Sequence, residues 1–151
     1  MADKREEIFD NVKAAFDLIL AASGYTANIG YTGVGLKHFT EIPADKFPAL
    51  MVAGADERRE NVTNTHFKSE MELSVIGYVR SSDAHDPAVL ETALNNLIAD
   101  VTKALYVDHT RGGHSTYTEI GTILTDKGAV QPYAMFEMLV GVEYRAPFST
   151  P

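Results

Sequence analysis

The chain has 151 residues, about one domain's length, and its 45% hydrophobic and 23% charged content is globular rather than disordered. Its 13 Lys and Arg against 21 Asp and Glu give a formal charge of −8, which disfavours tight binding of DNA or RNA, since a nucleic-acid footprint needs a basic surface. It has no Cys, which excludes disulfides, thiolate metal sites, iron–sulfur clusters and cysteine catalysis.

Residues 1–10 carry alternating charges and no apolar stretch, so no secretory signal is expected there. No apolar run approaches the ~18 residues of a membrane span. A soluble protein made inside the cell is expected, and Asn61-Val62-Thr63 then fits the glycosylation pattern only by chance. The spacing of Ile8, Phe9, Val12, Phe16, Ile19 and Leu20 predicts a helix over 3–22. Asp3 stands as its cap, Glu6 is in capping-box position, and Gly24 is its stop. Residues 25–40, rich in Gly, Thr and Tyr, read as short irregular β structure or loop, and 39–47 as a connection. The apolar run Ala49-Leu50-Met51-Val52-Ala53 predicts a buried strand over 48–54.

Residues 55–65 are polar, with Val62 their one apolar anchor, and read as a loop. Two readings of that loop stand side by side: a flexible hairpin connection, or an assembly arm with Arg58, Arg59, Glu60 and Val62 as candidate contacts. From His66 the period changes to two, with Phe67, Met71, Leu73, Val75 and Val79 on the buried face of a strand. A loop over 81–86 leads to Asp86-Pro87, a cap and first-turn proline for a second helix over 87–106. Its apolar stripe is Val89, Leu90, Ala93, Leu94, Leu97, Ile98, Val101 and Leu105. Residues 108–115 read as loop. Thr118, Ile120, Thr122 and Leu124 are expected on one face of a strand. A turn at Thr125-Asp126-Lys127-Gly128 then leads into Ala134, Phe136, Met138, Val140, Val142 and Tyr144, also alternating, so the pair reads as a hairpin. The last residues, 147–151, are expected to fray.

This order of elements predicts a single α+β domain over 1–151, with an antiparallel or mixed sheet and two helices packed on one face. Candidate chemistry is sparse. Gly30-Tyr31-Thr32-Gly33-Val34-Gly35 lacks the Lys-Ser/Thr of a phosphate loop and the spacing of a dinucleotide fingerprint. Asp108, His109 and His114 could hold a metal, but a solvated loop with incidental histidines is the preferred reading. His38, His66 and His85 lie in separate loops and add no ligand spacing. No G-x-S-x-G is present. Glu70 and Glu72, at i and i+2 on a strand, share an exposed face and read as solubility. No catalytic, cofactor or metal residue is therefore assigned.

The layout resembles the tail terminator (tail-completion, minor tail) proteins of long-tailed phages and prophages. The pieces that carry the resemblance are Phe47-Pro48-Ala49-Leu50, Met71-Glu72-Leu73-Ser74-Val75-Ile76-Gly77-Tyr78, and the closing Phe136-Glu137-Met138-Leu139-Val140-Gly141-Val142-Glu143-Tyr144. The resemblance implies a structural protein with no cofactor and no active site, in a ring that is usually hexameric. The ring caps the tail tube, ends its polymerisation and presents a surface to the head connector. Implied partners are further copies of the chain, the tube protein and the connector protein. DNA passes through without specific binding, and no membrane is involved. The expected location is the head-proximal end of the virion tail, after synthesis in the host cytoplasm. Two alternatives stay open: a head-closure or tail-tube joining protein of similar fold, and a small-molecule-binding α+β domain whose site one sequence does not reveal.

Overall fold

The computed structural model describes residues 3–81 and 86–150. In chain order these form α1 (Lys4–Asp17), β1 (Tyr31–Val34), β2 (Ala49–Asn61), β3 (His66–Arg80), α2 (Pro87–Val107), β4 (Tyr117–Thr125) and β5 (Tyr133–Pro147). Short 3-10 turns at Ala21–Ser23, Phe39–Glu41 and Ala44–Lys46 punctuate the connections. The sheet order is β1-β2-β3-β5-β4; β1 runs parallel to β2 and every other neighbouring pair is antiparallel. The fold is thus α+β with a mixed sheet, as expected.

Both helices cover the same sheet face. Ile8, Val12 and Phe16 of α1 and Leu90, Leu94, Leu97, Val101 and Leu105 of α2 meet Leu73, Val75, Met138, Val140 and Tyr144 in one core. Asp3 caps α1 by accepting from the Glu6 N–H at 2.8 Å. The helix stops at Asp17 rather than 22. Leu18 closes the last turn, and Ile19 leaves the helix to bury itself completely while Leu20 stays exposed. Gly24, at φ +91°, ends the Ala21–Ser23 turn instead of α1. Asp86 caps α2 through the Ala88 N–H at 3.0 Å, with Pro87 in the first turn. Val89, expected in the stripe, is 48% exposed. The expected loop over 81–86 lies largely outside the described residues, His85 included.

The greatest departure from expectation is the length of β2. Residues 55–61 are strand, not loop, and pair with β3 from Ala55↔Leu73 to Asn61↔Phe67. Backbone hydrogen bonds to β3 order this segment without an apolar face of its own. Only residues 62–65 turn the chain. There the N–H groups of Val62 and Thr63 both reach the His66 carbonyl, at 3.0 and 3.2 Å. At Gly54 (φ +48°) one extra residue sits in β2 as a bulge.

A second irregularity, between Ile120 and Ile123, breaks the expected single face of β4. Thr118 and Ile120 pair with Val142 and Val140, but Leu124 pairs with Glu137 on the opposite face. The chain end does not fray at Phe148: its N–H donates to the Thr65 carbonyl at 2.9 Å and its ring stacks on Phe67. On the sheet face away from the helices, the 39–47 connection covers Ala49, Met51 and Tyr78 together with Ile42. The other half of that face, toward the 62–65 turn, is open.

Candidate functional site

The Gly54 bulge determines which charges go where. A strand alternates faces with period two, so one inserted residue inverts the phase of everything beyond it. Glu57 and Arg59, opposite Met71 and Ser69, therefore turn to the helix side, and Asp56, Arg58 and Glu60, opposite Glu72, Glu70 and Lys68, turn to the open side.

On the helix side the polar groups are fastened. The Tyr144 hydroxyl donates to the Glu57 carboxylate. Arg59 donates to the same carboxylate at 2.9 Å, and Arg5 of α1 lies 3.4 Å from it. The Arg59 guanidinium also sits over the Phe67 ring, 4.4 Å from its centre. Burial pushes the Glu57 carboxyl up, but hydrogen bonds from Tyr144 and Arg59 and the Arg59 charge leave the pKa below the ordinary value. The same burial and the Glu57 acceptor raise the Tyr144 phenol.

The open side holds a groove of about 460 Å³ lined by Asp56, Arg58, Glu70, Glu72, Tyr117, Glu119 and Glu143, with Gly141 in its floor. The register arranges these in rows across the strands. One row reads Arg58, Glu70, Glu143, Tyr117; the next reads Asp56, Glu72, Gly141, Glu119. Glu70 and Glu143 stand directly opposite each other, a repulsive placement. Among the described residues, none of Arg58, Asp56, Glu70, Glu72, Glu119 and Glu143 joins an ion pair. The Glu143 charge, with burial and the Glu119 and Glu70 charges behind it, raises the Tyr117 phenol.

The four expected contact residues therefore do not form one patch. Arg58 and Glu60 share the open face, Arg59 is on the helix side, and Val62 is in the turn, 47% exposed. Tyr117, Glu119 and Glu143 were not among the expected contact residues, because the groove draws on four strands that only the fold brings together.

The 108–115 loop is built for fastening α2. Arg111, 1% exposed and at φ +50°, donates from Nε to Thr118 Oγ1 at 3.1 Å and from Nη2 to the carbonyls of Leu105 and Asp108. A cation there complements the C-terminal end of the helix. Hydrogen bonds from the Thr110 hydroxyl and the Gly112 and Thr110 N–H groups hold the Asp108 carboxyl at about 2. His114 turns its Nδ1 to Glu7 at 3.1 Å, while His109 contributes its backbone carbonyl to Thr118. No group of three metal-ligating side chains occurs among the described residues, and no helix among them is long and apolar enough to cross a membrane.

These observations define an α+β domain with a groove of charged side chains on the open half of its sheet, none of Arg58, Asp56, Glu70, Glu72, Glu119 and Glu143 being in an ion pair among the described residues. The chain belongs to the bacteriophage tail tube terminator protein family, whose model matches residues 2–150. Membership gives it a tail terminator role and makes it a structural component of the phage tail. No curated relative matches the chain.

Proposed function

We propose that copies of this chain close into a ring, six in number, that caps the finished tail tube at its head-proximal end. The ring ends tube polymerisation and offers its other surface to the head connector. The observation that carries this reading is family membership over nearly the whole chain. Two features of the molecule support it. The sheet has unlike margins, β1–β2 on one side and β4 on the other, as a head-to-tail ring requires. The chain's −8 charge also suits a conduit that should not grip DNA phosphates. The ring requires no cofactor.

The test is polymerisation of purified tube protein with and without this chain. Tubes should stop growing, with a ring of this protein at one end by electron microscopy. Incorporation along the whole tube would instead identify a tube-joining subunit. Binding to the connector alone, with tube growth unchanged, would identify a head-closure protein.

A further inference from the structure

We infer that neighbouring copies meet head to tail across the open sheet face, with Arg58 on the β2 margin of one copy entering the acidic groove at the β4 margin of the next, beside Tyr117, Glu119 and Glu143. The inference rests on the ring reading above and names the contact that closes it.

Three observations lead to it. First, β1 pairs with β2 only over Ala49–Val52, so beyond Gly54 the outer side of β2 has no strand beside it among the described residues. Arg58 stands exposed on that stretch, without an ion pair. Second, the opposite margin is acidic and equally unpaired: Glu119 lies on β4 itself and Glu143 on β5 directly behind Tyr117. Third, Arg58 and Tyr117 occupy the two ends of one row across the sheet, on the same face. A neighbour continuing the sheet at the same level therefore brings its Arg58 opposite Tyr117, diagonal to Glu119 in the row that its Asp56 joins.

Arg58 and the carboxylates at the β4 margin are opposite in charge, and a contact between unlike margins propagates into rings. Side chains carry this contact more than backbone does. The outward N–H of Ile120 on β4 is already taken by the Tyr106 hydroxyl at 3.0 Å, and the irregularity after it interrupts the edge. Such blunting leaves charge to set the register.

The chain contains no Cys, which makes the test direct. Arg58→Cys and Glu119→Cys variants of the full chain are mixed, with tube protein present and absent, and treated with a short bismaleimide. The expected product joins position 58 to position 119, and the double variant gives a ladder ending at a closed ring. Links between like positions overturn the inference. So does the absence of any 58–119 link under conditions where wild type forms rings, which leaves the ring reading intact. Absence of rings even on tube ends refutes the ring reading itself. A charge swap supplies the second measurement. Arg58→Glu and Glu119→Arg should each weaken association about tenfold per contact. Mixing the two variants should restore it, because each then offers the other a complementary margin in an even-numbered ring. Failure of the mixture to recover, with both variants folded, overturns the inference.

Discussion

Tyr144, near the end of β5, donates its phenolic hydrogen to Glu57 on β2, two strands away across the sheet. This bond fastens the polar outer half of the long hairpin to the helix side, where Arg5 and Arg59 share the same carboxylate. Removing the hydroxyl by Tyr144→Phe should cost about 1.5–3 kcal/mol, the usual worth of a hydrogen bond to a charged group. The Glu57 carboxyl lies below its ordinary 4.5 in the folded protein, so its contribution is present above that pH and is lost as pH falls through the folded value. The gap between wild type and variant in denaturant unfolding should therefore narrow on acidification from pH 7 through that range. A gap that stays constant to strongly acidic pH would show that the bond does not depend on the ionised carboxylate.

Asp100 is the polar member of an otherwise apolar helix face, 4% exposed. Its carboxylate accepts from the N–H groups of Thr26 (3.0 and 3.1 Å) and Ala27 (3.1 Å), tying the segment before β1 to α2. Asp100→Ala should cost about 1–3 kcal/mol by leaving those donors unpaired. Amide exchange at residues 26 and 27 should speed up more than elsewhere. Uniform acceleration across the chain would mean that the anchor is not local.

Leu97 is 1% exposed in the main core, between α2 and the sheet. Leu97→Ala should destabilise by about 2–5 kcal/mol, the range for emptying a buried leucine site. Thermal unfolding measures it, and a melting temperature equal to wild type would contradict the burial of this helix face.

Much of this was legible in the sequence where side chains alternate. Phe136, Met138, Val140, Val142 and Tyr144 all point into the core because a period of two leaves no other choice for a half-buried strand. The α2 stripe was equally plain, apart from Asp100, whose partners sit more than seventy residues away. The outer half of β2 was not legible. Asp56-Glu57-Arg58-Arg59-Glu60 offers no apolar face, and its order comes from the β3 backbone, which no pattern within the segment reveals. The groove was hidden for a related reason: Glu70, Glu143 and Tyr117 come together only through the strand order β3-β5-β4.

Gly54 controls the phase of that segment. At φ +48° a Cβ meets no neighbour, so Gly54→Ala should cost only the left-handed backbone strain, about 1 kcal/mol. Inserting one further residue after Gly54 is a different perturbation. It would invert the alternation beyond it and send Glu57 and Arg59 to the open face, away from Tyr144. The insertion should therefore be far more destabilising than the substitution, by denaturant unfolding. Equal effects would mean that the bulge does not set the register.

The two adjacent arginines give the sharpest contrast, because strand alternation puts them on opposite faces and the bulge decides which face each takes. Arg58 is exposed and has no ion pair among the described residues, so Arg58→Glu should change the stability of the isolated subunit by less than about 0.5 kcal/mol. Arg59 holds Glu57 at 2.9 Å and covers the Phe67 ring. Arg59→Glu sets a second carboxylate beside Glu57 and loses that ring contact. Its side chain is 44% exposed, so solvent screening limits the cost to about 1 kcal/mol. The order of effects should reverse in assembly. There Arg58→Glu should be the more damaging, while Arg59→Glu should act only through stability. Unfolding in denaturant and ring formation on tube ends, measured on both single variants, separate the two roles. Equal stability loss from the two substitutions would contradict the facial assignment that the Gly54 bulge imposes.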